Sequence, residues 1–104
     1  MITDDEAEKA VDFLRDNARK TAQAKANSEY MQEFRKVLKA RIMREHAEMP
    51  LGAQEREAYA DPRYDLHLKS LQTAIEESEY QEWMMAAAES KISAWQTQSR
   101  NTRV

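Results

Sequence analysis

The strongest helix-breaking residues of this chain are confined to one short segment near its middle. The single glycine and both prolines lie between residues 50 and 62 of a sequence of 104 residues. Glycine and proline are the residues that helix interiors tolerate least, so the long stretches on either side are free to be helical. Charged residues at 34% and hydrophobic residues at 41% are typical of long helices and coiled coils. The sequence therefore predicts an all-α fold.

A first helix is predicted over about residues 3–48. Thr3 and Glu6 have the spacing of a capping box, in which each side chain satisfies a free backbone N–H of the first turn. Apolar or small residues follow at helical spacing: Ala7, Val11, Leu14, Ala18, Ala22, Ala26, Tyr30, Phe34, Leu38 and Ile42. The polar centre around Asn27 and Ser28 leaves two interpretations open. The helix is either continuous, or it breaks near Asn27 and the chain forms three helices.

A return helix is predicted over about residues 62–99, followed by a frayed C-terminal tail. Asp61 is a natural N-cap, and Pro62 suits the first helical position, where no N–H is needed. Residues 49–62 then form a corner with a short helical turn, and residues 1–104 form one domain, a long helical hairpin. A hairpin centre near residue 56 places Phe34 near Ser78 and residues 22–26 near residues 86–88.

The return helix has apolar residues on two sides. A near-heptad stripe faces the first helix, and Tyr80, Trp83, Ala87 and Ala94 lie roughly opposite it. Because one partner helix cannot cover both sides, we expect self-association, with Tyr80, Trp83 and Ala87 buried against other copies. Alternatively, the N-terminal piece of a broken first helix folds over this side and gives a monomeric three-helix bundle.

The sequence carries no motif for catalysis or metal binding. There is no cysteine, only two histidines, and neither an HExxH frame nor a phosphate-binding loop. We expect no enzyme activity, catalytic residues, metal, cofactor or small-molecule substrate. The longest apolar run, residues 83–88, is too short to span a bilayer. The opening MITDDEAE is unlike a secretory signal peptide, so we expect an intracellular protein without a membrane partner.

Basic residues are concentrated in the first helix, where residues 19–44 contain eight bases and two acids. Lys25, Arg35, Lys36 and Lys39 fall within about one quadrant of a helical wheel, opposite the apolar stripe. Such a row either contacts nucleic-acid phosphates or is a solvated face. Arg41 falls inside the apolar arc, where it pairs with a carboxylate at an interface or extends outward to water.

Two stretches together support a family resemblance. They are EYMQEFRKVLKARIMRE, residues 29–45, and AQEREAYADPRYDLHLKSLQTAIEESEYQEWMMAAAESKISAWQTQ, residues 53–98. The pair resembles small helical proteins of tailed phages and prophages, and its layout is similar to that of the UvsY-type recombination mediators. The resemblance implies DNA contacts from Arg35, Lys36, Lys39, Arg41 and Arg44. It implies assembly contacts from Tyr80, Trp83, Ile92 and Trp95.

The same resemblance implies a function. It indicates an oligomeric phage accessory protein of DNA recombination or replication that binds single-stranded DNA, or the proteins coating it, in the cytoplasm of the bacterial host. Residues 76–90 contain five acids and no base, which leaves another hypothesis open. In that hypothesis the acidic helix binds and inhibits a host defence or repair enzyme. A structural or packaging role is the third possibility.

Overall fold

The computed structural model describes residues 1–102 and consists of helices throughout. Helix α1 spans Asp4–Arg44, α2 spans Leu51–Ala60 and α3 spans Pro62–Asn101. No strand occurs within residues 1–102, which confirms the predicted all-α class. The predicted frayed tail falls partly on residues 103–104, which lie outside the described residues. None of the helices over residues 1–102 carries an apolar stretch long enough to cross a lipid bilayer.

The chain divides into two compact units, each containing part of α1 and part of α3. Unit 1 is formed by residues 1–23 and 78–104, and unit 2 by residues 24–77. In unit 1 the two helices are antiparallel, since the Ile2 N–H donates to Gln98 Oε1 at 3.0 Å and Trp95 Nε1 donates to Asp4 Oδ1 at 2.8 Å. In unit 2 the helices are also antiparallel, and the His67 Nε2–H donates to the Met31 carbonyl at 2.7 Å.

Helix α1 is continuous through its polar centre, which confirms the first of the two interpretations, and the alternative of a break near Asn27 is wrong. The polar side chains there are satisfied locally instead. The Ser28 hydroxyl donates to the Lys25 carbonyl at 3.0 Å, and the Asn27 amide contacts the Met31 sulfur at 3.7 Å. Hydroxyl side chains that bond back to the preceding turn are compatible with an unbroken helix. The third helix of the fold is α2, a helix of 10 residues where the sequence predicts a short helical turn.

The chain reverses between α1 and α2, earlier than the corner centre predicted near residue 56. Residues 45–50 make the turn, and α2 already packs back against the end of α1, where Ile42, Ala58 and Tyr64 form the core of unit 2. The facing register shifts accordingly. Phe34 lies against His67, with ring centroids 5.5 Å apart, about three helical turns from the predicted Ser78.

The contact residues of α1 follow a heptad rather than the predicted steps of four, whereas the contact residues of α3 keep the predicted near-heptad except at the exposed Leu68 and Ile75. In unit 1 the buried or half-buried positions that follow this spacing are Ala7, Ala10, Leu14, Asn17 and Thr21 in α1 and Ser78, Gln81, Met85, Ala88, Ile92 and Trp95 in α3. Phe13 of α1 and Gln98 of α3 are among the half-buried residues beside them. Four-residue steps drift around a helix, whereas alternating steps of three and four stay on one side. The contact seam therefore accepts Asn17 and Thr21, while the predicted Ala18 and Ala22 are exposed.

The start of α3 confirms the predicted cap. Asp61 has an extended backbone with ψ of 132°, as expected for a residue that precedes proline. Its carboxylate accepts the Arg63 N–H at 2.8 Å. The Arg63 guanidinium also bridges Asp61 and Glu45, with its Nη2 2.9 Å and 2.8 Å from their oxygens. At the start of α1, the Glu6 N–H donates to the Thr3 hydroxyl at 3.1 Å, which confirms Thr3 as N-cap.

This cap makes stability sensitive to acid. Hydrogen bonds from the Arg63 side chain and backbone lower the pKa of Asp61 to about 2. Because the folded-state pKa lies below the ordinary value, stabilisation is present above about pH 4 and is lost as the pH falls through about 2. Asp61→Asn keeps a good N-cap, so its thermal midpoint should fall less than the parent's between about pH 4.5 and pH 2. Equal losses in circular dichroism melts would contradict this.

Candidate nucleic-acid interface

An exposed strip of aromatic and basic side chains runs along α1 within unit 2. Its residues are spaced by alternating steps of four and three, which keeps them on one side of a helix. We call this strip the aromatic–arginine face; it consists of Tyr30, Phe34, Val37, Arg41 and Arg44. At 1.5 Å per residue the face extends over about 21 Å. It lies beside the contact seam and leaves most of its side chains open to solvent.

The aromatic end of this face is a stacked pair. The rings of Tyr30 and Phe34 have centroids 6.0 Å apart and an interplanar angle of 22°, and Tyr30 is 65% exposed. Phe34 is fixed from α3 by His67, whose own ring is held by the Met31 carbonyl. The pair is therefore anchored at Phe34 and presents Tyr30 outward as an aromatic surface.

The arginine end of the face is available for a ligand. The Arg41 guanidinium carbon lies 5.4 Å from the Phe34 ring centroid, so the cation rests on an aromatic ring while its N–H groups remain exposed. Among residues 1–102, no carboxylate oxygen lies within ion-pair distance of Arg41 or Arg44. An unpaired guanidinium donates in a planar fork that fits phosphate oxygens.

The predicted basic stripe of Lys25, Arg35, Lys36 and Lys39 is not a uniform solvated surface. Lys25 is exposed, and Lys36 is exposed but paired with Glu33 at 3.3 Å. Arg35 occupies a half-buried position in the seam with α3. Its Nε is buried and has no hydrogen-bond partner within residues 1–102. The expectation that Arg35 faces away from the helix contact is therefore wrong.

Lys39 is also withdrawn from the solvated surface, because α2 packs beside it. Its ammonium lies 4.7 Å from the Tyr59 ring centroid and 4.0 Å from Glu55 Oε1. The neighbouring Tyr59 side chain, followed by the charge of Glu55, raises the pKa of Lys39. These contacts give Lys39 a part in holding α2 against α1. Of the six predicted DNA contacts, Arg41 and Arg44 lie together on the aromatic–arginine face, and Lys36 lies on the neighbouring side of α1.

The five predicted assembly residues separate into two groups. Tyr80, Trp83 and Ala87 are exposed on one side of α3, where Trp83 is 72% accessible and Tyr80 is 56% accessible. Ile92 and Trp95 instead occupy half-buried positions in the unit 1 seam. The Trp95 indole N–H is held there by Asp4. A single surface cannot contain all five side chains.

The described residues give no metal centre. Within residues 1–102, no three His, Cys, Asp or Glu side chains converge in a geometry that could hold an ion. Comparison with protein-family models, curated proteins and solved structures finds no match. The function must therefore be argued from the surface itself.

Sequence reasoning missed the exposure of Tyr30 and the role of Phe34 in supporting it. The helical spacing of apolar residues predicts both in the stripe that faces α3. The signal that could have identified the face is the spacing of Tyr30, Phe34, Val37, Arg41 and Arg44, which alternates between four and three residues. This spacing places Arg41 and Arg44, which have no ion-pair partner among residues 1–102, in line with two aromatic rings. A helical wheel centred on the predicted apolar stripe instead groups the lysines.

Proposed function

We propose that the protein binds single-stranded DNA through the aromatic–arginine face. The observation that carries this proposal is the exposed Tyr30 ring stacked on an anchored Phe34, with Arg41 over the same Phe34 ring. The resemblance to recombination mediators supports a role in DNA recombination or replication, in the cytoplasm of a phage-infected bacterium. The protein would act there as an oligomeric accessory factor.

The chemistry of the face favours a single strand over a duplex. Unpaired bases offer their flat surfaces to aromatic side chains, and such stacking contributes about 1–3 kcal/mol per base. In a duplex those surfaces are covered by neighbouring base pairs. Arg41 and Arg44 would contact phosphates along the same strand, which carries no sequence information. Binding should therefore be tolerant of base sequence.

The face offers few charges per copy, so a single copy should bind weakly. Arg41 and Arg44 provide two phosphate contacts, and Lys36 would add a third only by leaving Glu33. Copies that associate through contacts other than these arginines would hold one strand at several points and gain affinity through effective concentration. The expected homo-oligomer on DNA therefore has to leave the aromatic–arginine face free.

Fluorescence anisotropy with labelled oligothymidine tests this proposal. We expect binding that weakens with salt, with a log–log slope of about −0.7 for each phosphate contact. A blunt duplex of the same length should bind more weakly. Equal affinity for duplex and single strand, or an absence of binding at low salt, would contradict the proposal.

A second candidate function has its own observation in support. Trp83 is the most exposed large hydrophobic side chain among the described residues of α3, and Glu79 and Glu82 lie beside it within an acidic segment that contains no base. An exposed aromatic side chain among acids could occupy the DNA-binding surface of a host enzyme, because the acids would replace phosphates. This protein-inhibitor function would become the better explanation if oligothymidine does not bind.

A further inference from the structure

We propose that an acidic face of unit 1 docks on the aromatic–arginine face of a second copy of this chain. We call it the glutamate–tryptophan face; it consists of Glu79, Tyr80, Glu82, Trp83 and Ala87. The docking extends the proposed function by naming the surfaces through which copies associate when no DNA is bound. Its competition with DNA, derived below, rests on the proposed function, whereas the docking itself does not.

The glutamate–tryptophan face has the composition of an interface. Trp83 and Tyr80 are 72% and 56% exposed, although a helix in contact with one partner normally keeps its aromatic residues in the seam. Between residues 78 and 88 the buried positions of α3 are Ser78, Gln81 and Ala88 instead, and Trp95 enters the seam only further along the helix. In this stretch the large aromatic side chains lie outside and small or polar ones are buried, which favours a partner on the outer surface. Tryptophan and tyrosine are also the residues that most often dominate binding energy.

The negative charge of the glutamate–tryptophan face disfavours a symmetric dimer in which this face contacts the same face of a second copy. A symmetric dimer would bring the same patch of both copies together. Glu79 and Glu82 would then meet their own counterparts, and residues 76–90 offer no base to separate them. Within residues 1–102, no lysine or arginine lies within ion-pair distance of either glutamate. The partner must therefore be cationic and also partly apolar.

The chain itself carries a surface that meets both requirements. The aromatic–arginine face has two unpaired guanidinium groups, Arg41 and Arg44, in line with the exposed ring of Tyr30. Docking the two faces would pair arginine with glutamate and aromatic with aromatic. Because the two faces differ, the contact is heterologous, and each copy keeps one free face for a further copy. Association should therefore be concentration-dependent and weakened by salt.

The docking also has a consequence for DNA. Arg41 and Arg44 would pair either with the glutamates of a second copy or with phosphates, but not with both. Oligothymidine should therefore release the docked copies. Assembly and DNA binding would then be regulated against each other by a single set of arginines.

Two complementary variants test the docking. Variant A carries Glu79→Gln with Trp83→Ala and keeps its arginines; variant B carries Arg41→Gln with Arg44→Gln and keeps its acidic face. In sedimentation at low salt we expect the parent to be larger than a monomer and each variant alone to be monomeric. An equimolar mixture of A and B should form a dimer and nothing larger, since only one productive contact remains. The exposed pair Arg19→Gln with Lys20→Gln is the matched control and should behave as the parent.

The remaining outcomes are equally decisive. A parent that is monomeric at low salt, or a mixture of A and B that stays monomeric, overturns the docking. Variants that retain the parent's mass overturn it as well, provided that circular dichroism shows native helix content. If the parent associates as predicted but short oligothymidine leaves its mass unchanged, the docking stands and DNA binding by these arginines is contradicted.

Discussion

Replacing Ile42 with alanine is expected to lower the free energy of unfolding by about 2–4 kcal/mol. Ile42 is fully buried, and it is the largest such side chain within residues 1–102. It packs with Ala58 of α2 and Tyr64 of α3, with Leu38 and Met43 beside it. The cavity left by alanine would be hard to refill because Ala58 is already small.

Leu66→Ala is the matched control for this experiment. Leu66 is also aliphatic, but it is 65% exposed on α3, so its truncation should cost less than about 0.5 kcal/mol. Urea denaturation followed by circular dichroism would measure both variants. If Ile42→Ala were no more harmful than Leu66→Ala, then Ile42 would not be the point at which α1, α2 and α3 are joined.

The sequence was informative wherever a local rule decides the structure. The confinement of Gly52 and the two prolines predicted the corner, and Asp61 and Pro62 predicted the start of α3. Each of these depends on the backbone chemistry of a few adjacent residues. The continuity of α1 through Asn27 was harder to predict. Asn and Ser side chains can hydrogen-bond to their own helix or mark the end of a helix, and the sequence alone does not distinguish the two cases.

The register and the contact seam could not be predicted in this way. Stripes of apolar residues predict the buried side of a helix only when that side is more apolar than the others. Here the seam includes Asn17, Thr21 and Ser78, while Tyr30 and Trp83 remain outside. The point at which the chain reverses direction depends on α2. Because the ten residues of α2 pack back against α1, every pair of residues that face each other across α1 and α3 is shifted.

The candidate site depends on the same change of register. The sequence predicts Lys39 in a solvated row because residues 53–60 are expected to form only a short helical turn. Once these residues form α2, Tyr59 and Glu55 cover the lysine. Arg35 was displaced for a related reason, because the heptad that actually forms the seam runs through its position. Alanine substitutions at Arg35 or Lys39 would therefore alter packing and could not isolate a DNA contact.

Tyr30→Ala and Arg41→Ala are the variants that separate the two parts of the proposed DNA contact. Removing the Tyr30 ring should weaken oligothymidine binding by about 1–3 kcal/mol, roughly 5- to 150-fold, if one base stacks on it. The salt slope should not change, since no charge is lost. Arg41→Ala should weaken binding and also reduce the magnitude of the salt slope by about 0.7, because one phosphate contact disappears.

Tyr30 and Arg41 are both exposed, so the fold should be retained in both variants. Tyr80→Ala and Arg19→Ala are the controls, because they remove the same residue types from unit 1. Tyr80 lies on the glutamate–tryptophan face, and its truncation should leave the affinity of a single copy for a short oligothymidine unchanged. The change in the salt slope of oligothymidine binding distinguishes the two variants better than the size of either loss of affinity. A solvated basic face would lose charge-dependent binding equally with Arg19→Ala and Arg41→Ala, and Tyr30→Ala would have no effect. That pattern would show that the ring of Tyr30 does not stack on a base and that the aromatic–arginine face is not the binding site.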